Sequence, residues 1–222
     1  MALKRLDIDG YGQIELNNVA FRRDGRIEAQ CALDPEAFAD FPAENGMLLV
    51  VDKANRIVRP AISTDDDTTP IALHYSTEHL YDERTPGLKN FKLTPGTGRL
   101  QDDNFYPRMG YLSVGDLYTT NAVCFNDAET GFTAVTDNVS TTDVDETQSA
   151  SEHFLATLKA GFKTTPYYGV VAIAGNGETV AGLTQITATK PQTLIGGVLL
   201  KVVNVYTMPD GQPGFKFQVI KA

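Results

Sequence analysis

Apolar and polar residues alternate with a period of two through much of this chain, the spacing of a half-buried strand. Residues 25–33 follow it, and so do residues 215–220, where Phe215, Phe217 and Val219 fall on one face. The apolar run 47–51, the turn Asp52-Lys53-Ala54-Asn55 and the run 56–59 together predict a hairpin. Residues 70–75 predict another strand. Residues 111–125 are rich in β-branched and aromatic side chains with a Gly115-Asp116 break, which predicts two strands joined by a tight turn. Residues 168–174 and 179–183 flank Gly175-Asn176-Gly177, again a hairpin pattern. The run 197–207, the turn 209–214 and the run 215–220 predict a terminal hairpin.

Two stretches carry helical signals. Asp34 and Pro35 supply an N-cap and a first-turn proline, so residues 35–40 predict a short helix that Pro42 ends. Ser149 and Glu152 have capping-box spacing, and Phe154, Leu155 and Leu158 recur at helical spacing, which predicts a helix over 151–160. Residues 63–70 hold Asp65, Asp66 and Asp67 without apolar periodicity and predict an exposed loop, and 126–150 predict a polar, acidic excursion. The fold class expected is mainly β: an antiparallel sandwich or barrel built from hairpins, with one or two short helices. The length permits one large β domain or two smaller ones. If there are two, the stretch 85–107, dense in Pro, Gly, Asp and Asn, places the boundary near Thr94-Pro95-Gly96-Thr97-Gly98. Residues 1–95 would then form an N-terminal β-rich region with an extended arm, and 96–222 a C-terminal barrel or sandwich domain.

Charge narrows the partners. Asp and Glu number 28 against 19 Lys and Arg, a net charge of −9, so the mean field repels nucleic-acid phosphates and anionic membrane surfaces. No nucleic-acid or membrane partner is expected. No run approaches the roughly 18 apolar residues of a membrane helix, and Met1-Ala2-Leu3-Lys4-Arg5 leads to Asp7 and Asp9 instead of an apolar signal core. Folding in the cytosol is the resulting expectation. Cys31 and Cys124 each sit in an apolar segment without a Cys-x-x-Cys partner and predict buried free thiols. His74, His79 and His153 are too scattered for a metal cluster.

Residues 7–14 resemble the front of a calcium-binding loop, with Asp7 and Asp9 at positions one and three and Gly12 at position six. Tyr11 and Asn18 stand where ligands belong and too few residues precede the loop for a helix, so a surface turn is expected. Asp65, Asp66 and Asp67 with Asp143, Asp145 and Glu146 offer oxygen ligands, but adjacent carboxylates in polar loops are ordinarily solvated. Acidic pairs for glycoside hydrolysis exist in any acidic chain. There is no Gly-x-Ser-x-Gly elbow, and Gly96-Thr97-Gly98-Arg99 is too short to cradle phosphates. Phe105, Tyr106, Tyr111, Tyr118, Phe125, Tyr167 and Tyr168 predict strand packing ahead of a binding surface. No catalytic, cofactor-binding or metal-ligating residue is assigned, and no cofactor.

Residues 106–123, running from Tyr106-Pro107-Arg108-Met109-Gly110-Tyr111 through Val114-Gly115-Asp116 to Val123, resemble a segment of structural proteins of tailed-bacteriophage virions. Residues 200–211, from Leu200 to the Pro209-Asp210-Gly211 turn, do so as well. The resemblance implies a head decoration or cement protein: a barrel- or sandwich-like, non-enzymatic module on the capsid exterior. It implies the major capsid protein or other virion proteins as partners, a homo-oligomer, and residence in a virion assembled in the bacterial cytoplasm. A tail tube, tail fibre or host-adhesion module and a polysaccharide-acting enzyme are the alternative expectations.

Overall fold

The computed structural model describes residues 3–76, 92–95, 106–125, 150–176 and 178–222. In chain order its strands begin with β1 (Lys4–Arg5), β2 (Ile14–Asn18), β3 (Ala32–Leu33), β4 (Ala43–Glu44), β5 (Leu48–Asp52), β6 (Ile57–Pro60) and β7 (Ile71–His74). They continue with β8 (Lys92–Leu93), β9 (Met109–Tyr111), β10 (Leu117–Thr120) and β11 (Val123–Phe125). The last four are β12 (Tyr168–Val171), β13 (Thr184–Thr187), β14 (Leu199–Thr207) and β15 (Pro213–Lys221). Helices α1 (Ala20–Arg23) and α2 (Ala150–Gly161) accompany them.

Eight strands form a large sheet in the order β1-β11-β13-β12-β14-β15-β10-β2, and five form a small sheet, β3-β6-β5-β7-β9. Strands β4 and β8 pair separately. All pairings are antiparallel except β11 with β13 and β3 with β6. The architecture is mainly β and sandwich-like. It is not a closed barrel, because β1 and β2 stand at opposite ends of the large sheet.

The terminal hairpin is the spine of the large sheet. Phe215, Phe217 and Val219 are buried to 0%, 0% and 1% exposure, so the period-two pattern of β15 is a true inward face. That face meets Leu48, Val50 and Leu73 of the small sheet in one apolar cluster, which α2 completes by stacking Phe154 on Phe125 with ring centroids 4.2 Å apart. Strand β5 is buried on both sides: Leu49 and Val51 point into a second cluster with Phe38, Val58, Cys124 and Leu183. This explains why residues 47–51 are uniformly apolar instead of alternating.

Several local expectations hold. The β5–β6 hairpin closes with Asp52 opposite Ile57, and Asp52 Oδ1 accepts the N–H groups of Ala54 and Asn55 at 3.0 Å each. Helix α2 covers the predicted 151–160, although Ser149 lies outside the described residues. Both cysteines are free and buried.

Others need correction. Residues 25–33 are not one strand: only Ala32–Leu33 joins a sheet, with a lone bridge between Glu28 and Met109. Alternation alone cannot supply a partner strand, and residues 26–30 are mostly exposed. Residues 35–40 do not make a helix. Asp34 Oδ1 does cap, accepting Glu36 N–H at 2.9 Å, but the segment closes a single turn before Pro42. The Gly115-Asp116 turn exists, with Gly115 at φ 96°, yet it does not form a hairpin. It carries the chain from β9 in the small sheet to β10 in the large one. In the hairpin after β12 the second strand is 184–187, later than predicted, because a short 3-10 turn at Glu178–Val180 intervenes.

Strand pairing also crosses residue 95 in both directions. β1 and β2 belong to the large sheet, and β9 belongs to the small one. Over the described residues 3–18 the N-terminal segment is therefore stitched into the body, and is not an arm extending from it. The stretches 126–149, 96–105 and the site of His79 lie outside the described residues.

Candidate functional site

Among the described residues, buried polar groups converge where the segment from β1 to β2 meets the end of β4 and the link between β10 and β11. Glu44, at the end of β4, is 1% exposed. Its Oε1 accepts Arg5 Nη1 at 2.8 Å, Arg5 Nη2 bonds Oε2, and Gly12 N–H donates to Oε2 at 2.6 Å. A carboxylate removed from water needs such a full set of donors. Gly12 is required for the approach, since a Cβ there would lie 2.5 Å from the Asn45 carbonyl oxygen. The residues after Gly12 extend the seam: Gln13 N–H donates to Asn121 Oδ1 at 2.7 Å, and Thr120 Oγ1 donates to the Gln13 carbonyl at 2.6 Å.

His74, at the end of β7, packs against the same turn and is fully buried. Its Nδ1 sits 2.7 Å from the Glu44 carbonyl oxygen, which only accepts, so Nδ1 carries the proton. Nε2 then accepts from Ser76 Oγ at 2.7 Å, and Ser76 Oγ in turn accepts the Arg108 N–H at 3.0 Å. A serine hydroxyl on an imidazole invites comparison with a nucleophile and its base. Burial, however, pushes His74 down to about 4, against a smaller opposing effect of the Glu44 carbonyl, which makes it a poor proton acceptor near neutral pH. The chain Glu44-His74-Ser76-Arg108 instead fastens β7 to the segment entering β9.

A second cluster fastens the β2 edge. Tyr206 OH lies 2.6 Å from Glu15 Oε2 and donates to it, while Thr119 Oγ1 lies 2.9 Å from the phenol oxygen and 2.8 Å from Asn17 Oδ1. Burial, and next the hydrogen bond that the Glu15 carboxylate accepts from it, push Tyr206 up to about 12, so it stays a protonated donor.

The candidates raised from the sequence are dispersed. Residues 9–11 form a bend with Gly10 at φ 83°, and Asp7 N–H donates to Ser151 Oγ at 3.0 Å. Asp65 is held by Arg59 through two bonds of 2.7 and 2.9 Å, and this guanidinium keeps its carboxyl below the usual range. Asp66 instead accepts Thr68 N–H at 2.8 Å within its own loop. Asp143, Asp145 and Glu146 lie outside the described residues. Among the described residues no three His, Cys, Asp or Glu side chains gather as metal ligands. His153 is half-buried on α2, with its Nε2 enclosed and without a hydrogen-bond partner among those residues. Tyr118, Phe125 and Tyr167 are buried in the core, whereas Tyr106, Tyr111 and Tyr168 are half-buried.

Sequence reasoning passed over Glu44 and Arg5. Glu44 follows Pro42-Ala43 in a stretch that continues into the apolar run 47–51, and a lone carboxylate entering a buried strand is the one signal that pointed to it. No helix among the described residues is long and apolar enough to cross a membrane. No protein-family model, curated protein or solved structure matches the chain.

Proposed function

We propose that this chain is a non-enzymatic structural protein of a tailed-phage virion, of the head decoration or cement type, which binds the capsid exterior and bridges its subunits. The observation that carries this reading is where the two virion-like segments meet. Residues 106–123 supply β9, the crossing turn and β10, and residues 200–211 supply most of β14 with its turn. Strands β10 and β14 lie on either side of β15, and the Tyr206 hydroxyl of β14 lies 2.9 Å from Thr119 Oγ1 of β10. Parts of both segments thus meet in the large sheet, as expected when the likeness concerns a scaffold and not a reactive centre.

The polar interior supports the same reading. Glu44, Arg5, His74 and Ser76 are engaged in joining elements, which gives a rigid body suited to holding a surface in place. The net charge of −9 keeps such a body off packaged DNA. The test is mass spectrometry and electron cryomicroscopy of phage particles that carry the chain. Symmetric density on the head shell accommodating this fold is the expected result. Density confined to the tail, or absence of the chain from particles, overturns the reading.

A further inference from the structure

Two surface features on opposite sides of the small sheet are complementary. The first is a basic knob. Helix α1 ends in a Schellman turn: Gly25, at φ 70°, donates to the Arg22 carbonyl, and Arg26 N–H donates to the Phe21 carbonyl at 2.8 Å. Beneath it the Phe21 ring sits against Gly110 of β9, where a Cβ would lie 2.1 Å from the ring. The knob is therefore rigid and anchored on the β9 edge. It presents Ile27, 46% exposed, beside the exposed Arg23, whose Nε lies 3.5 Å from Asp24 Oδ1, and the exposed Arg26, which has no carboxylate partner among the described residues.

The second feature is a hollow of about 430 Å³ beside β6, near the other edge of the sheet. Phe41, Pro60, Ile62 and Ala181 give it an apolar lining, and Glu36 and Asp40 stand in its wall. Both carboxylates are exposed and neither has a side-chain partner among the described residues. The cation in that wall, Arg59, is neutralised by its two bonds to Asp65. Three inter-strand steps, about 14 Å, separate β6 from β9. A single molecule therefore cannot insert its own knob into its own hollow.

We propose that the occupant of the hollow is a second copy of this chain, whose Ile27 enters it while Arg23 and Arg26 face Glu36 and Asp40. An apolar side chain flanked by cations meets an apolar recess flanked by carboxylates, so polarity and charge match across the contact. Each copy offers both patches, so the contact either closes reciprocally about a two-fold axis or runs head to tail into a ring or an open array. This deepens the assembly reading by naming a partner. Its assay contains no particle, so its failure and the failure of head attachment are separate results.

The experiment is sedimentation equilibrium of the full chain at low salt with charge-reversal variants. Wild-type protein is expected to self-associate, and Arg26→Glu, Asp40→Lys and Ile27→Asp each to weaken that association at least about tenfold. Arg26→Glu mixed with Asp40→Lys, and the double variant alone, are expected to regain it. All substituted side chains are exposed, and far-UV dichroism and thermal midpoints check that each variant folds. A monomeric wild type at millimolar concentration, association that survives Ile27→Asp, or a mixture that stays monomeric while each variant is folded overturns the proposal.

Discussion

Arg5 and Glu44 are 39 residues apart and form a bidentate ion pair whose carboxylate end is buried while the guanidinium end is 28% exposed. The pair joins β1 of the large sheet to β4, and Gly12 N–H adds a third donor to the same carboxylate. Removing the cation leaves a buried anion with one remaining donor. Arg5→Ala should therefore destabilise the fold by about 3 kcal/mol, the lower end for a broken buried pair because water reaches the arginine side. Urea midpoints measure it, with Lys190→Ala, on an exposed lysine, as the control expected to stay within about 0.5 kcal/mol.

Gly110 and Phe21 make a second such test. Gly110→Ala forces the ring from its seat and should cost about 1–3 kcal/mol by overpacking. The cost should fall when Phe21 is first shortened to Leu. A double-mutant cycle in denaturant reads this coupling, and simple additivity of the two changes would contradict the close approach.

His74 makes stability depend on pH. Burial holds its folded-state value near 4, below the roughly 6.5 of an unfolded histidine, so between those values the unfolded chain binds the extra proton. Its contribution is complete above about pH 6.5 and declines on acidification toward pH 4, by at most about 1.4 kcal/mol per pH unit. Between pH 7 and pH 5 the wild type should lose about 2 kcal/mol more than His74→Asn, whose amide can still donate to the Glu44 carbonyl. Denaturant titrations at the two pH values settle the difference.

The two thiols should separate by reactivity. Cys124 is 0% exposed and burial raises its thiol well above the ordinary range, while Cys31 is 7% exposed with a smaller upward push led by desolvation. Alkylation of the native protein should reach Cys31 first and Cys124 only on unfolding. Peptide mapping against time shows the order.

Much of the local structure was written in the order of residues. The inward face of Phe215, Phe217 and Val219, the Asp52 turn and the α2 stripe of Phe154, Leu155 and Leu158 are each legible because strand and helix periods act within a dozen residues. What pairs with what was not. The alternation of residues 25–33 went unused because no neighbouring strand lies beside most of it, and the turn at Gly115 joins different sheets. The Arg5–Glu44 pair and the His74–Ser76–Arg108 chain depend on segments brought together only when the two sheets stack. The same holds for Ile27 and for the Glu36–Asp40 hollow: composition shows both charges, but only the strand order sets them on opposite sides of one sheet. Periodicity is a property of a segment. Partnership across long separations is decided by which apolar faces can be buried together.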